Sequence, residues 1–233
     1  MRRGRKGDRT RESILRVAVD VASVEGLEGL SIGTLAGRLK MSKSGLFAHF
    51  GSKTELQLAV VEAARAVFVD QAVRPALAAP GGLPRLWALS EAWLSYVERK
   101  VFRGGCFFAA ASAEFDSRPG PVRNRIAEVM REWRGGLERA VRLAQGEGHL
   151  PSRLDADQLA FELIALSLGA NWAAQLHRDR AALSRARAAI RERLRALATR
   201  RAPVLSSRRY RPPLSRRPLS SGSDRPPGSR VES

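Results

Sequence analysis

The sequence predicts an all-α fold: an N-terminal three-helix unit containing a helix-turn-helix, followed by a C-terminal helical bundle. Three observations point there. Nearly every apolar stretch recurs at helical spacing, and no run alternates convincingly enough to read as a strand. Ser, Thr or Asp precedes several of these stretches, where its side chain can cap free backbone N–H groups. Gly and Pro cluster between stretches, at Gly26, Pro80 to Pro84, Pro119 to Pro121 and Gly146 to Pro151.

In order along the chain, a basic arm covers residues 1–10, and a first helix runs from about Arg11 to Glu25 with Thr10 as cap. Its inner face is Ile14, Ala18, Val21 and Ala22, and Gly26 ends it. A short second helix follows Ser31 and buries Ile32, Leu35, Ala36 and Leu39. After a break at Lys40-Met41, a third starts at Ser42 and carries Leu46, Phe47 and Phe50. Ser52 and Glu55 have the spacing of a capping box. That box opens a fourth helix through Leu56, Val60 and Val67, ending near Arg74-Pro75. Then comes a helix with Leu86, Leu89, Trp93 and Val97 on one face, and an ambiguous segment from Arg103 to Pro121. A long helix carries Ile126, Met130, Trp133, Leu137, Val141 and Ala144. Asp155 caps the next, where Leu159 to Ala174 is apolar nearly all round. A last helix spans about Leu183 to Ala198, with Arg185, Arg191 and Arg195 on a solvated face. The domains read as 11–55, with a reader motif at 31–50, and 56–200; residues 201–233, rich in Arg, Pro and Ser, read as disordered.

A formal net charge of +18 over 233 residues points to a polyanionic partner, nucleic acid first. The charge gathers at the ends: six basic residues against Asp8 within the first eleven, and eight Arg against Asp224 and Glu232 after position 200. Flexible basic ends suit electrostatic capture of DNA. Cys106 is the only cysteine, which excludes an intramolecular disulfide and suits a reducing compartment. No apolar signal core follows the basic start. The run from Leu159 to Ala174 is too short to span a bilayer and is interrupted by Glu162 and Asn171. The expected location is cytoplasmic, with no membrane partner.

Residues 31–50, SIGTLAGRLKMSKSGLFAHF, carry the function. Two short helices across a tight turn, the second polar at its start and apolar behind, have the parts of a helix-turn-helix. Ala36 lets the helices cross closely, and Leu35, Leu39, Leu46 and Phe50 can fix the crossing angle. Ser42, Lys43, Ser44 and Gly45 stand where side chains reach base edges and backbone N–H groups face phosphate. Lys43 can donate to guanine O6 and N7, and Gly45 permits close approach.

Thr34-Leu35-Ala36 and Met41 to Lys53 resemble the signature of the TetR/AcrR family of bacterial transcription regulators, over roughly residues 8–68. The resemblance implies an all-α homodimer, usually a repressor, with a C-terminal domain that binds a small effector and dimerises through its last helices. It also implies that Thr34 touches phosphate, that Ser42 to Gly45 approach the bases, and that His49 and Lys53 contact the backbone. Phe47 stands where Tyr is frequent, which keeps the packing and loses a hydroxyl. Lys40 stands where Gly is common; a left-handed conformation there would cost Lys about 1–2 kcal/mol.

Elsewhere the sequence offers little chemistry. Cys106 sits among Phe107, Phe108 and Ala109, as a buried cysteine does, and a Cys106-dependent enzyme is the remote alternative. A nucleoid-type protein that binds DNA without sequence choice is the nearer one. His49, His149 and His177 lack metal-ligand spacing, and no cofactor motif is present. Trp93, Phe107, Phe108, Trp133 and Trp172 are candidates to line a site for a small, apolar effector, since bundles place ligands between helices. The apolar helix from Leu159 to Ala174 fits a homodimer seam, where a second copy covers the outer face.

Overall fold

A computed structural model describes residues 2–205, with side chains from Gly7 onward. The segment 206–233, most of the expected disordered tail, lies outside the described residues. The described chain is all-helical, without strands.

The first helix, α1 (Arg2–Glu25), starts nine residues earlier than expected, so the basic arm is its first turns and Thr10 is not its cap. No proline stands between Arg2 and Thr10, and adding turns to an existing helix is far cheaper than starting one. Ile14, Ala18, Val21 and Ala22 are buried as the spacing demanded, and Gly26 ends the helix with φ +87°. Leu27 and Leu30 pin the following loop into the core. Next come α2 (Ile32–Leu39) and α3 (Lys43–Phe50), which bury Leu35, Ala36, Leu46 and Phe50. Between them Lys40 does adopt the left-handed conformation, φ 52° and ψ 40°.

The fourth helix, α4 (Lys53–Phe68), passes into a π-helical turn at Val69–Val73 and a last turn at Arg74–Ala76. The widened turn precedes Pro75, which has no N–H to offer the carbonyl of Gln71. The Arg99 guanidinium donates to that carbonyl instead, at 3.1 Å.

The body comprises α5 (Leu83–Glu98), α6 (Phe107–Phe115), α7 (Pro121–Gly146), α8 (Ala156–Leu176) and α9 (Ala182–Leu197). The ambiguous stretch thus holds one short helix, α6. Instead of one buried face, α5 is buried almost all round, touching α7, α8, α9 and the π-helical turn. Its Glu91 is 1% exposed and is paired with Arg187 of α9 at 2.7 Å; Arg187 also reaches Glu98 at 3.0 Å. Arg191 is not simply solvated either: its guanidinium lies 4.9 Å from the centroid of the Trp87 ring.

By contrast α8 packs on α7 and α9 yet leaves Phe161, Trp172 and Leu176 exposed, at 57%, 58% and 64%. Asp155 caps it by accepting from the amides of Asp157 and Gln158, at 2.9 and 3.1 Å. Because the helix begins at that cap and continues to Leu176, it has 21 residues and is long and apolar enough to cross a membrane, contrary to the shorter estimate from the apolar run. A third of its most apolar window is buried against the rest of the chain. After α9 the chain turns back: Thr199 donates to the carbonyl of His149 at 3.0 Å, and Leu205 is buried, so the ordered body extends past position 201.

Candidate nucleic-acid interface and effector cavity

The α2–α3 pair presents its polar ends outward. Ser31 caps α2 by accepting from the Thr34 amide at 3.1 Å, and its hydroxyl also bonds the exposed Thr34 hydroxyl. Ser42 does the same for α3, accepting from the Gly45 amide at 3.0 Å, with the Ser44 hydroxyl 3.3 Å away. A Cβ at position 45 would lie 2.9 Å from the Ser42 oxygen. Glycine there protects the cap as well as leaving the tip low. Ser42, Lys43 and Ser44 are exposed, while Leu46 and Phe50 hold the helix from behind. The stem of Lys43 runs across Gly33 of α2, whose missing side chain leaves room for it. Phe47 is 52% exposed on the same outer surface. His49 is half-buried and tilted against Phe50, and the Arg11 guanidinium lies 5.0 Å from the centroid of the Phe50 ring.

Lys53 is engaged within the protein. Its ammonium pairs with Glu28 at 2.7 Å, and that contact, with a hydrogen bond from Gln57, holds the Glu28 carboxyl below its ordinary range. Gln57 also donates to the carbonyl of Leu27 at 3.0 Å. The same loop is gripped from the body: the Glu114 carboxylate at the end of α6 accepts from the amides of Leu27 and Glu28 at 2.8 and 2.9 Å. Arg103 pairs with Asp20 of α1 at 2.6 Å nearby. Sequence reasoning missed this junction, and it had no signal to follow, because Glu114 lies 87 residues beyond Leu27.

Within the body is a small cavity of ≈ 20 Å³, lined by Phe68, Trp93, Cys106, Phe108, Met130 and Trp133 among others. Of the expected aromatic residues, Trp93, Phe108 and Trp133 therefore come together. Phe107 packs in the core against Phe102 and Phe108. Trp172 points away, edge-on to His177 on the outer surface, because it lies on the uncovered side of α8. Burial pushes the Cys106 thiol up to about 11, which leaves almost no thiolate at neutral pH. Among the described residues no group of three His, Cys, Asp or Glu could hold a metal ion.

A capped reader helix, exposed at its start and carried on a helical body, defines a helix-turn-helix DNA-binding transcription regulator. Residues 14–60 match the family described as "Bacterial regulatory proteins, tetR family", and residues 82–190 match "Tetracyclin repressor-like, C-terminal domain". The chain belongs to the TetR family of transcription regulators. Among solved structures it is similar to a TetR regulator from Chloroflexus aurantiacus, at 26% identity and a TM-score of 0.78, covering 83% of this chain and 98% of that one. It is similar to a TetR-family regulator from Cytophaga hutchinsonii at 20% identity and a TM-score of 0.75, covering 84% and 98%. AibR, solved with isovaleryl coenzyme A and operator DNA, matches at 23% identity and a TM-score of 0.58, covering 70% and 84%. No curated protein matches the chain. The family is one of DNA-binding regulators rather than enzymes.

Proposed function

We propose that the protein is a ligand-responsive repressor, without catalytic activity, that binds a palindromic operator as a homodimer in the cytoplasm. The observation carrying this reading is the exposed Ser42–Lys43–Ser44 tip of a helix whose rear is locked in the core. Residues 11–55 form the DNA-binding unit and 56–200 the regulatory body. Ser42 to Gly45 approach base edges, while Thr34, Phe47, His49 and Lys53 lie along the phosphates. The exposed apolar side of α8 with α9 receives the second copy, setting two α3 tips about 34–36 Å apart, one turn of DNA.

Two solid links support an effector response. The rod of α4 runs from Lys53 in the reader to Phe68 at the cavity wall. The short α6 places Phe108 of its first turn at the cavity and Glu114 of its last turn on the loop ahead of α2. An effector that displaces either element changes the spacing of the tips. A hundredfold loss of operator affinity requires about 2.7 kcal/mol of differential binding between the two states. AibR was solved with both an acyl-coenzyme A and operator DNA, and a similar regulator from Saccharomonospora viridis with choline.

The test is a selection of duplexes from a random library by the full chain, followed by binding of the two lysine variants. Lys43→Ala should lower the preference for the selected duplex over random DNA by about 1–3 kcal/mol. Lys53→Ala should weaken both duplexes alike, with a salt slope smaller by about one unit at most, since Glu28 already shares that charge. Equal affinity of the unaltered protein for selected and random DNA would favour a nucleoid-type binder and overturn the proposal.

A further inference from the structure

Beside that small cavity lies a second, open groove of ≈ 530 Å³, bounded by the end of α4 with its π-helical turn, α5 and α7. Phe68, Val129 and Trp133 line both spaces, so the two share an aromatic wall. The groove floor is apolar, with Val69, Leu89 and Leu143, but its edge carries Arg65, Arg85 and Arg139 against the single carboxylate Glu132. That carboxylate is already committed: Glu132 pairs with Arg65 at 2.7 Å and lies 3.4 Å from Arg125. The other acids near the groove are also engaged, Glu138 with Arg142, Asp70 with Arg74 and Glu147 with His149. Arg85 is held in place by the neutral carbonyl of Ala79, at 3.0 and 3.2 Å. Arg139 has no acidic partner among the described residues, and its guanidinium folds back over Gly135 and Gly136. Two cations, Arg85 held and Arg139 exposed, thus border an apolar trough without a protein anion to neutralise them.

We infer that the effector is an amphipathic organic anion, whose carboxylate or phosphate head sits between Arg85 and Arg139 while its alkyl tail lies along the groove against Trp133 and Phe68. This rests on the effector reading above and departs from the small, apolar effector expected from the sequence. The guanidinium fork suits planar or tetrahedral oxyanions, to which it donates two parallel hydrogen bonds. The tail covers Val69, Leu89 and Trp133 and presses on Phe68, which belongs to the α4 link to the reader. A neutral molecule of the same length would leave both cations unpaired, and a cationic one would be repelled.

The probes are octanoate, octyl phosphate, octanol and octylamine, titrated into the full-length protein with tryptophan fluorescence and thermal midpoint as readouts. Trp133 in the groove wall makes the emission sensitive to filling. At least one anion should bind saturably and raise the midpoint, with octanol roughly ten- to hundredfold weaker and octylamine weaker still. Arg139→Ala, an exposed position, should bring the anion down to the affinity of octanol and leave octanol unchanged. Binding by octanoate alone identifies a free organic acid, and by octyl phosphate alone a phosphorylated head; either supports the inference. It is overturned if octanol or octylamine matches the anions, if Arg139→Ala keeps the preference, or if nothing binds saturably. Operator affinity is measured in parallel: if it is intact while the anions fail, only the ligand class falls, and if it is absent, the regulator reading itself fails.

Discussion

Two helices of the body, α5 and α8, obey opposite logics. The first carries two glutamates and three serines or tyrosine among its apolar residues, yet it is enclosed almost completely. The main costs of that enclosure are met inside the chain: Glu91 finds Arg187, and Ser90 donates to the carbonyl of Leu86, although the Tyr96 hydroxyl is left without a hydrogen-bond partner among the described residues. The second is apolar nearly all round, yet three of its large side chains meet solvent. Here α7 and α9 cover part of it and, among the described residues, nothing covers the rest. A helix whose buried charge is paired internally is finished by its own fold, whereas one with a bare apolar face is finished by a partner.

The largest effect should come from breaking the enclosure of α5. Arg187→Ala removes the buried cationic partner of Glu91, which should cost about 3–5 kcal/mol in urea unfolding. An effect under one kcal/mol would mean that α5 tolerates an unmatched charge and that the contrast with α8 is superficial. Next, the double change Phe161→Glu and Trp172→Glu should leave helicity and the unfolding midpoint near those of the parent, because both side chains already meet solvent. It should abolish self-association and weaken operator binding at least a hundredfold, about 2.7 kcal/mol. Loss of the fold instead would place those residues in the chain's own core.

A smaller change is expected at the junction between reader and body. Glu114→Ala removes the acceptor of two backbone amides and should cost about 1–3 kcal/mol of stability. It should also blunt any effector response while sequence choice is kept; an unaltered response would remove α6 from the coupling route. The smallest concerns Cys106. With its thiol raised to about 11, alkylation at pH 8 should run at least about a hundredfold slower in the folded chain than in urea, and operator binding should be untouched. Comparable rates in both states would reopen a reactive role for it.

The sequence was most informative where the determinants are local. Ser31, Ser42, Ser52 and Asp155 each cap a helix within three residues, so the starts of α2, α3, α4 and α8 were legible. Thr10 misled, because a capping residue does not stop a helix that already has earlier turns. Long-range partners were out of reach: Glu91 and Arg187 are 96 residues apart, and nothing near Glu114 hints that it holds the amides of Leu27 and Glu28. Helical spacing also could not say which side of α8 the rest of the chain would cover. That is why Trp172 was grouped with Trp93 and Trp133, although it faces outward.

The most direct test is hydroxyl-radical footprinting of the full chain on its selected duplex, with the number of bound chains measured on the same complex. Symmetric protection of two half-sites in successive major grooves, by an even number of copies, is the expected result. Protection of one half-site by a single chain would contradict it.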